Sequence, residues 1–175
     1  MKRIISLILI AVFAIIAASC GKTSTTSVTD GDESLDFSLR WGVFGISSYN
    51  SKTGELIKTT DVIERSPDEY KTTFILSDEQ RGYVSKILTE LKFSTYPDEF
   101  DPYMNDDGST VMSSPSSTII LTVGDKTISC RDISLVGRAG SEMGERFLTA
   151  VGKITELLTS SEQWKSLPEY EVLYD

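Results

Sequence analysis

The chain has 175 residues, 26 acidic and 17 basic side chains, a net charge of −9 at pH 7, and no histidine. Without an imidazole, the sequence excludes Ser-His and Cys-His catalytic pairs, histidine-ligated zinc and histidine pH switches. The acidic balance also argues against nucleic acid or anionic lipid headgroups as partners, because both repel a negatively charged domain.

The N-terminal residues have the pattern of a targeting signal. Basic residues 2–3 precede an apolar run over residues 4–18, and small residues stand directly before Cys20. This order is typical of a secretory signal peptide over residues 1–19. The ending resembles the lipobox of bacterial lipoproteins, which implies a diacylglyceryl group on the Cys20 thiol, although Ala17 replaces the usual leucine. The alternatives are an uncleaved membrane helix and an ordinary signal peptide that happens to contain a cysteine. An apolar run of about 15 residues is short of the ~20 that a membrane helix needs to cross a bilayer.

The segment after Cys20 predicts a tether. Residues 21–34 are almost all Thr, Ser, Gly and Asp, too polar to pack into a core, with a flexible reach of about 20 Å. We therefore predict a signal peptide over 1–19, the lipidated cysteine and tether over 20–34, and one globular domain over 35–175. If Cys20 is acylated, Cys130 has no disulfide partner within the chain.

The first half of the domain predicts strands followed by a helix. Alternating apolar residues predict a strand over 35–41, with glycines that indicate a bend before it continues. A turn around 50–54 leads to a returning strand over 55–60, and residues 70–76 alternate again. Ser77 begins a capping box, and the apolar spacing after it predicts a helix over about 78–92.

The second half repeats the pattern of hairpin and helix. Strands over 118–123 and 126–133 flank a two-residue turn, which pairs Leu121 with Ile128 and Ile119 with Cys130. Ser141 is a plausible cap for a helix over about 142–159. A short turn follows, and the tail over 170–174 alternates like an edge strand or a strap across the domain.

These elements predict an α+β fold. The antiparallel sheet comes from two ββ(β)α halves, with the two main helices packed on one face. The two halves are similar in the pattern of their elements but not in their residues, so the indication of an internal duplication is weak.

The long irregular segment over residues 95–116, called here the acidic loop, is the main candidate site. Loops of this length in compact domains are often functional. A partner-binding or cation-binding role and a plain surface connection are the two interpretations. A calcium-loop alignment fails, because Tyr103 and Ser114 fall where acidic ligands are required. The candidate binding residues are Tyr96, Asp98, Glu99, Phe100, Asp101, Tyr103, Asp106 and Asp107.

Other candidates are weaker. The aromatic and glycine residues over 41–49 fit either a ligand groove or a core strand with a bulge. Cys130 fits a buried, inert thiol better than a reactive one, since its predicted neighbours are apolar. Acidic residues are abundant, but no pair stands out as catalytic. The sequence indicates no catalytic residue, no metal site and no cofactor.

The segments over 41–49, 96–98 and 164–170 resemble those of small uncharacterised bacterial lipoproteins, over most of residues 35–175. The resemblance implies attachment to the extracytoplasmic side of a cell-envelope membrane, and it implies no activity. We expect a lipid-anchored, non-enzymatic binding or interaction domain, whose partner is a protein or another envelope component. The alternatives are a histidine-independent hydrolase using carboxylates or serine, and a structural accessory protein of the envelope.

Overall fold

A computed structural model describes residues 36–43, 47–58, 67–110, 113, 115–134 and 139–169. The predicted signal peptide, Cys20, the tether and the tail over 170–174 lie outside the described residues. Residues 34–175 belong to one compact unit.

The fold is α+β, as predicted, and is built on one six-stranded antiparallel sheet. In chain order its strands are β1 (Phe37–Val43), β2 (Ser47–Asn50), β3 (Glu55–Ile57), β4 (Lys71–Thr73), β5 (Ser116–Val123) and β6 (Lys126–Ser134). Their order across the sheet is β4-β3-β2-β1-β5-β6. The two halves of the chain therefore join where β1 pairs with β5.

Among the described residues, three α-helices accompany the sheet: α1 (Asp78–Leu91), α2 (Glu142–Thr159) and α3 (Glu162–Lys165). The predicted capping box of α1 is confirmed, since Ser77 Oγ accepts from the Gln80 amide at 3.2 Å and the Ser77 amide donates to Gln80 Oε1 at 2.9 Å. Ser141 caps α2 by accepting from the Gly144 amide at 3.1 Å. Short 3-10 helices occupy Pro67–Tyr70 and Phe93–Thr95.

One face of the sheet forms the core with α1 and α2. The inward strand residues and the apolar stripes of both helices form a single buried cluster. Burying each large aliphatic side chain there contributes about 1.5–3 kcal/mol. The inward members of the strands include Phe37, Leu39, Tyr49, Leu56, Leu121, Ile128, Cys130 and Ile133.

The opposite side of the sheet, called here the outer face, is formed by the alternate residues. Arg40 pairs with Ser48 and with Ile120, and Ile120 pairs with Ser129, so these four residues form one row across four strands. All four are at least partly exposed. An antiparallel sheet tolerates such a half-solvated face when its residues are largely polar.

Two details differ from the predictions. The strand predicted over 70–76 is shorter, because residues 67–70 form a 3-10 turn and only Lys71–Thr73 pair in the sheet. Phe74 and Leu76 are nevertheless buried as the alternation predicted. The strand predicted over 55–60 is described only over Glu55–Ile57, since residues 59 and 60 lie outside the described residues.

Candidate functional site

The aromatic side chains of the acidic loop anchor it to the core. The Tyr96 ring packs against Phe100 at 5.6 Å and Phe147 at 5.7 Å between centroids, and Phe100 contacts Phe147 at 5.6 Å. The Tyr96 hydroxyl donates to the Met143 carbonyl at 3.0 Å, and burial raises the pKa of that hydroxyl. Tyr96 is only 4% exposed. A surface that presents Tyr96, Phe100 and Tyr103 together to a partner therefore does not form, because Tyr96 is a core residue and the other two are half-buried.

The loop also passes directly beneath the start of α2. Pro102 is buried, and its carbonyl accepts from the Gly140 amide at 3.1 Å. A Cβ atom at Gly144 would overlap the Pro102 carbonyl, and one at Gly140 would overlap the Met104 carbonyl. Glycine weakens a helix by about 1 kcal/mol relative to alanine, and this close approach is the packing reason for Gly144.

The segment over 98–100 forms a short extension of the sheet beside β6. The Ser129 amide donates to the Asp98 carbonyl at 2.7 Å, and the Phe100 amide donates to the Ser129 carbonyl at 3.1 Å. Glu99 and Ser129 form a parallel bridge. Lys126 Nζ lies 2.8 Å from an Asp98 carboxylate oxygen. Glu99 thus extends the row of outer-face residues that ends in Ser129.

Two neighbouring clefts flank this extension. The larger, of about 520 Å³, is lined by the charged side chains of Asp98, Asp125 and Lys126 and by Ile120. The smaller, of about 340 Å³, is lined by Phe100, Asp101 and Met104. Both clefts share the residues Glu99, Ser129 and Arg131. Four of the predicted site residues, Asp98, Glu99, Phe100 and Asp101, are therefore brought together here.

The charges in the clefts differ in whether they are already paired. Asp101 accepts from the Tyr103 amide at 2.9 Å and from the Thr110 hydroxyl at 2.7 Å. Among the described residues, Arg131 donates one hydrogen bond, from Nε to Ser129 Oγ at 3.1 Å. Within the same residues, the carboxylates of Glu99 and Asp125 have no hydrogen-bond or ion-pair partner. Asp125 lines only the larger cleft, so Glu99 and the Nη groups of Arg131 are the unpaired charges that both clefts share.

The remaining predicted residues lie at the tip of the loop. Asp106 and Asp107 are exposed. Asp107 accepts from the Ser109 hydroxyl at 2.6 Å and the Ser109 amide at 2.9 Å, and these hydrogen bonds lower the pKa of its carboxyl. Over the described ranges, no group of three or more Cys, Asp or Glu side chains is arranged to hold a metal ion.

Cys130 lies in the position that the hairpin register predicted. It pairs with Ile119 and is fully buried. Burial raises the pKa of its thiol to about 12, with a smaller contribution from Asp101. A thiol with this pKa stays protonated at neutral pH, so Cys130 lacks the thiolate that a nucleophile or metal ligand needs.

A cluster that sequence reasoning missed joins β1, β3 and the C-terminal region. The Trp41 and Trp164 rings stack at 5.7 Å, and Lys58 Nζ lies 5.4 Å from the Trp164 ring centroid. Lys58 also pairs with Glu169 at 3.0 Å, with only 4% of the lysine side chain exposed. Trp41 therefore contributes to packing here, and Tyr49 is likewise buried. The cluster holds the segment from Trp164 to Glu169 against the sheet.

A third cleft lies between α1 and α2, with a volume of about 310 Å³. Its floor is the buried Ile87, Leu91 and Ala150, and its rim carries Glu90, Glu145, Arg146 and Lys153. The rim charges are of both signs and balance each other. The described rim therefore carries no net charge.

Comparison with protein-family models and with curated proteins found no match to this chain. In the described ranges, no helix combines the length and apolar character that a membrane crossing requires.

Proposed function

We propose that the protein is a lipoprotein anchored through Cys20 on the extracytoplasmic side of a bacterial cell-envelope membrane. Residues 35–175 would act as a non-enzymatic binding domain. The order of basic, apolar and small residues before Cys20 supports the anchor. Two acyl chains on one cysteine give stable membrane attachment, whereas a single chain gives only marginal binding.

One observation carries the binding role: the two clefts beside β6 expose opposite charges that the fold itself does not neutralise. Glu99 and Arg131 line both clefts. Glu99 is bridged to Ser129 on β6, the strand that carries Arg131, so the backbone positions of both charges are set before a ligand binds. Such preorganisation of the backbone favours recognition. The polar tether would leave the outer face free to meet a partner in the envelope.

The anchor is tested by cell fractionation and by mass spectrometry of the native N-terminus. We expect a diacylglyceryl-modified Cys20 in the membrane fraction. The Cys20→Ala variant should leave that fraction, and the control Cys130→Ala variant should remain in it. An unmodified Cys20 thiol, or a chain that still begins at Met1, would contradict the proposal.

The binding role is tested by photo-crosslinking in the envelope. A photoreactive amino acid at position 99 should capture a ligand or partner, because Glu99 lines both clefts. The same group at position 163, an exposed site on α3, is the control and should capture nothing above background. Equal capture at the two positions, or capture at neither, would argue against binding at the clefts and favour a hydrolytic or structural role.

A further inference from the structure

We propose that the two clefts beside β6 bind a free α-amino acid with an apolar side chain. Arg131 would receive the carboxylate of this ligand and Glu99 its ammonium group. This inference rests on the proposed binding function and names the chemical class of the ligand.

Arg131 is oriented for carboxylate binding. It follows Ser129 by two residues on β6, and its Nε donates to Ser129 Oγ at 3.1 Å. This bond fixes one edge of the guanidinium and leaves both Nη groups free within the described part of the chain. A planar guanidinium with free N–H groups binds a carboxylate through two parallel hydrogen bonds.

Glu99 supplies the opposite charge at a defined position. Its backbone is held beside Ser129 by hydrogen bonds at 2.7 and 3.1 Å on either side. The lateral spacing of paired strands is about 4.8 Å, and two residues along a strand span about 6.6 Å. Glu99 and Arg131 are therefore diagonal neighbours, yet they form no ion pair with each other. The gap between them suits a small molecule with two opposite charges.

Glu99 is the one unpaired acid, among the described residues, that lines both clefts. Asp98 is paired with Lys126 at 2.8 Å. Both Asp101 oxygens accept hydrogen bonds from within the loop. Asp125 has no partner among the described residues, but it lines only the larger cleft and not the one with the apolar surface. Glu99 is therefore the carboxylate placed to meet an ammonium group in either cleft.

The smaller cleft provides an apolar surface for the ligand side chain. Met104 is 43% exposed, and Phe100 is half-buried beside it. Methionine adapts its shape to the group that it contacts. A volume of about 340 Å³ accommodates a single amino acid. The combination favours an aliphatic or thioether side chain over a charged one.

The experiment is isothermal titration calorimetry of the purified protein with L-leucine. We expect saturable binding of L-leucine, with at least tenfold weaker binding of N-acetyl-L-leucine and of L-leucinamide. The two analogues remove one charge each, so they test the charge requirement on the unmodified protein. Glu99→Gln and Arg131→Gln should each weaken L-leucine binding at least tenfold. Arg40→Gln, on the same outer face but outside both clefts, should leave it unchanged.

The failures of the two proposals are distinguishable. If L-leucine gives no binding heat at millimolar concentration while position 99 still captures an envelope molecule, the amino-acid assignment is wrong and the binding domain stands. If the analogues bind as well as L-leucine, or Arg40→Gln weakens binding as much as Arg131→Gln, the paired-charge site is also wrong. Matching urea unfolding midpoints for the variants show that the fold is intact.

Discussion

The two glycines of α2 give opposite predictions for the same substitution. Gly152 is exposed, and a Cβ atom there would meet no heavy atom within 4 Å. Gly144 is buried against the loop, where a Cβ atom would lie 2.9 Å from the Pro102 carbonyl carbon and closer still to the carbonyl oxygen. We expect Gly152→Ala to stabilise the domain and Gly144→Ala to destabilise it.

The size of each effect follows from helix propensity and packing. Replacing glycine by alanine within a helix stabilises the helix by about 1 kcal/mol. Gly152→Ala should therefore raise the free energy of unfolding by about that amount. At Gly144 the overlap is with backbone atoms of a buried proline, which cannot rotate away. Overpacking of this kind costs about 1–3 kcal/mol. Both substitutions gain the same helix propensity, so the two variants should differ by the overpacking cost, about 1–3 kcal/mol in unfolding free energy.

Urea unfolding followed by tryptophan fluorescence measures this difference, since Trp41 and Trp164 stack in the folded domain. For a typical urea slope, a difference of about 2 kcal/mol separates the unfolding midpoints by about 1–2 M. Gly144→Ala should also expose the loop to limited proteolysis near Pro102. If Gly144→Ala proves as stable as Gly152→Ala, the loop does not lie beneath the start of α2, and the position assigned to the clefts is wrong with it.

Three further predictions concern single residues. Cys130 in the native protein should resist a thiol reagent at pH 8 and should react once urea unfolds the protein, because burial raises the pKa of its thiol to about 12. Mass spectrometry measures the labelling, and rapid labelling of the native protein would contradict this prediction. Ser77→Ala should lower the unfolding free energy by about 1 kcal/mol through loss of the α1 cap, whereas Ser94→Ala at an exposed site should change it by less than about 0.5 kcal/mol. In an NMR titration the Asp107 carboxylate should stay ionised to lower pH than an ordinary aspartate, because Ser109 donates to it. Ser109→Ala should move that pKa upward, and an unchanged value would show that the hydroxyl bond does not form in solution.

The local elements of this fold were predictable because their determinants are close together in the chain. The capping box of α1 spans four residues, and its two hydrogen bonds join Ser77 with Gln80. A two-residue turn sets the register of the β5–β6 hairpin. Counting residues outward from that turn therefore predicted the pairing of Ile119 with Cys130. Helix α2 begins and ends where its apolar spacing and its Ser141 cap placed it.

The acidic loop was recognised as a candidate, but the role of each of its residues was not. An aromatic residue among acids fits a core anchor and an exposed contact equally well on sequence alone. Tyr96 is an anchor because its ring packs against Phe147 on α2, which is distant in the sequence. Arg131 is distant from Glu99 in the sequence, and no motif around it marked it as lining the same clefts.

The sequence by itself determined the two main helices, the β5–β6 hairpin, the α+β class, the absence of histidine chemistry and the pattern of a lipoprotein signal. These depend on composition and on spacing within one or two turns of chain. Only the tertiary structure decided which charges meet, because that depends on contacts between distant segments. The Glu99–Ser129 bridge, the passage of Pro102 beneath Gly144 and the Lys58–Glu169 pair across 111 positions are all of this kind. Each requires the sheet to be assembled before its partners come within reach.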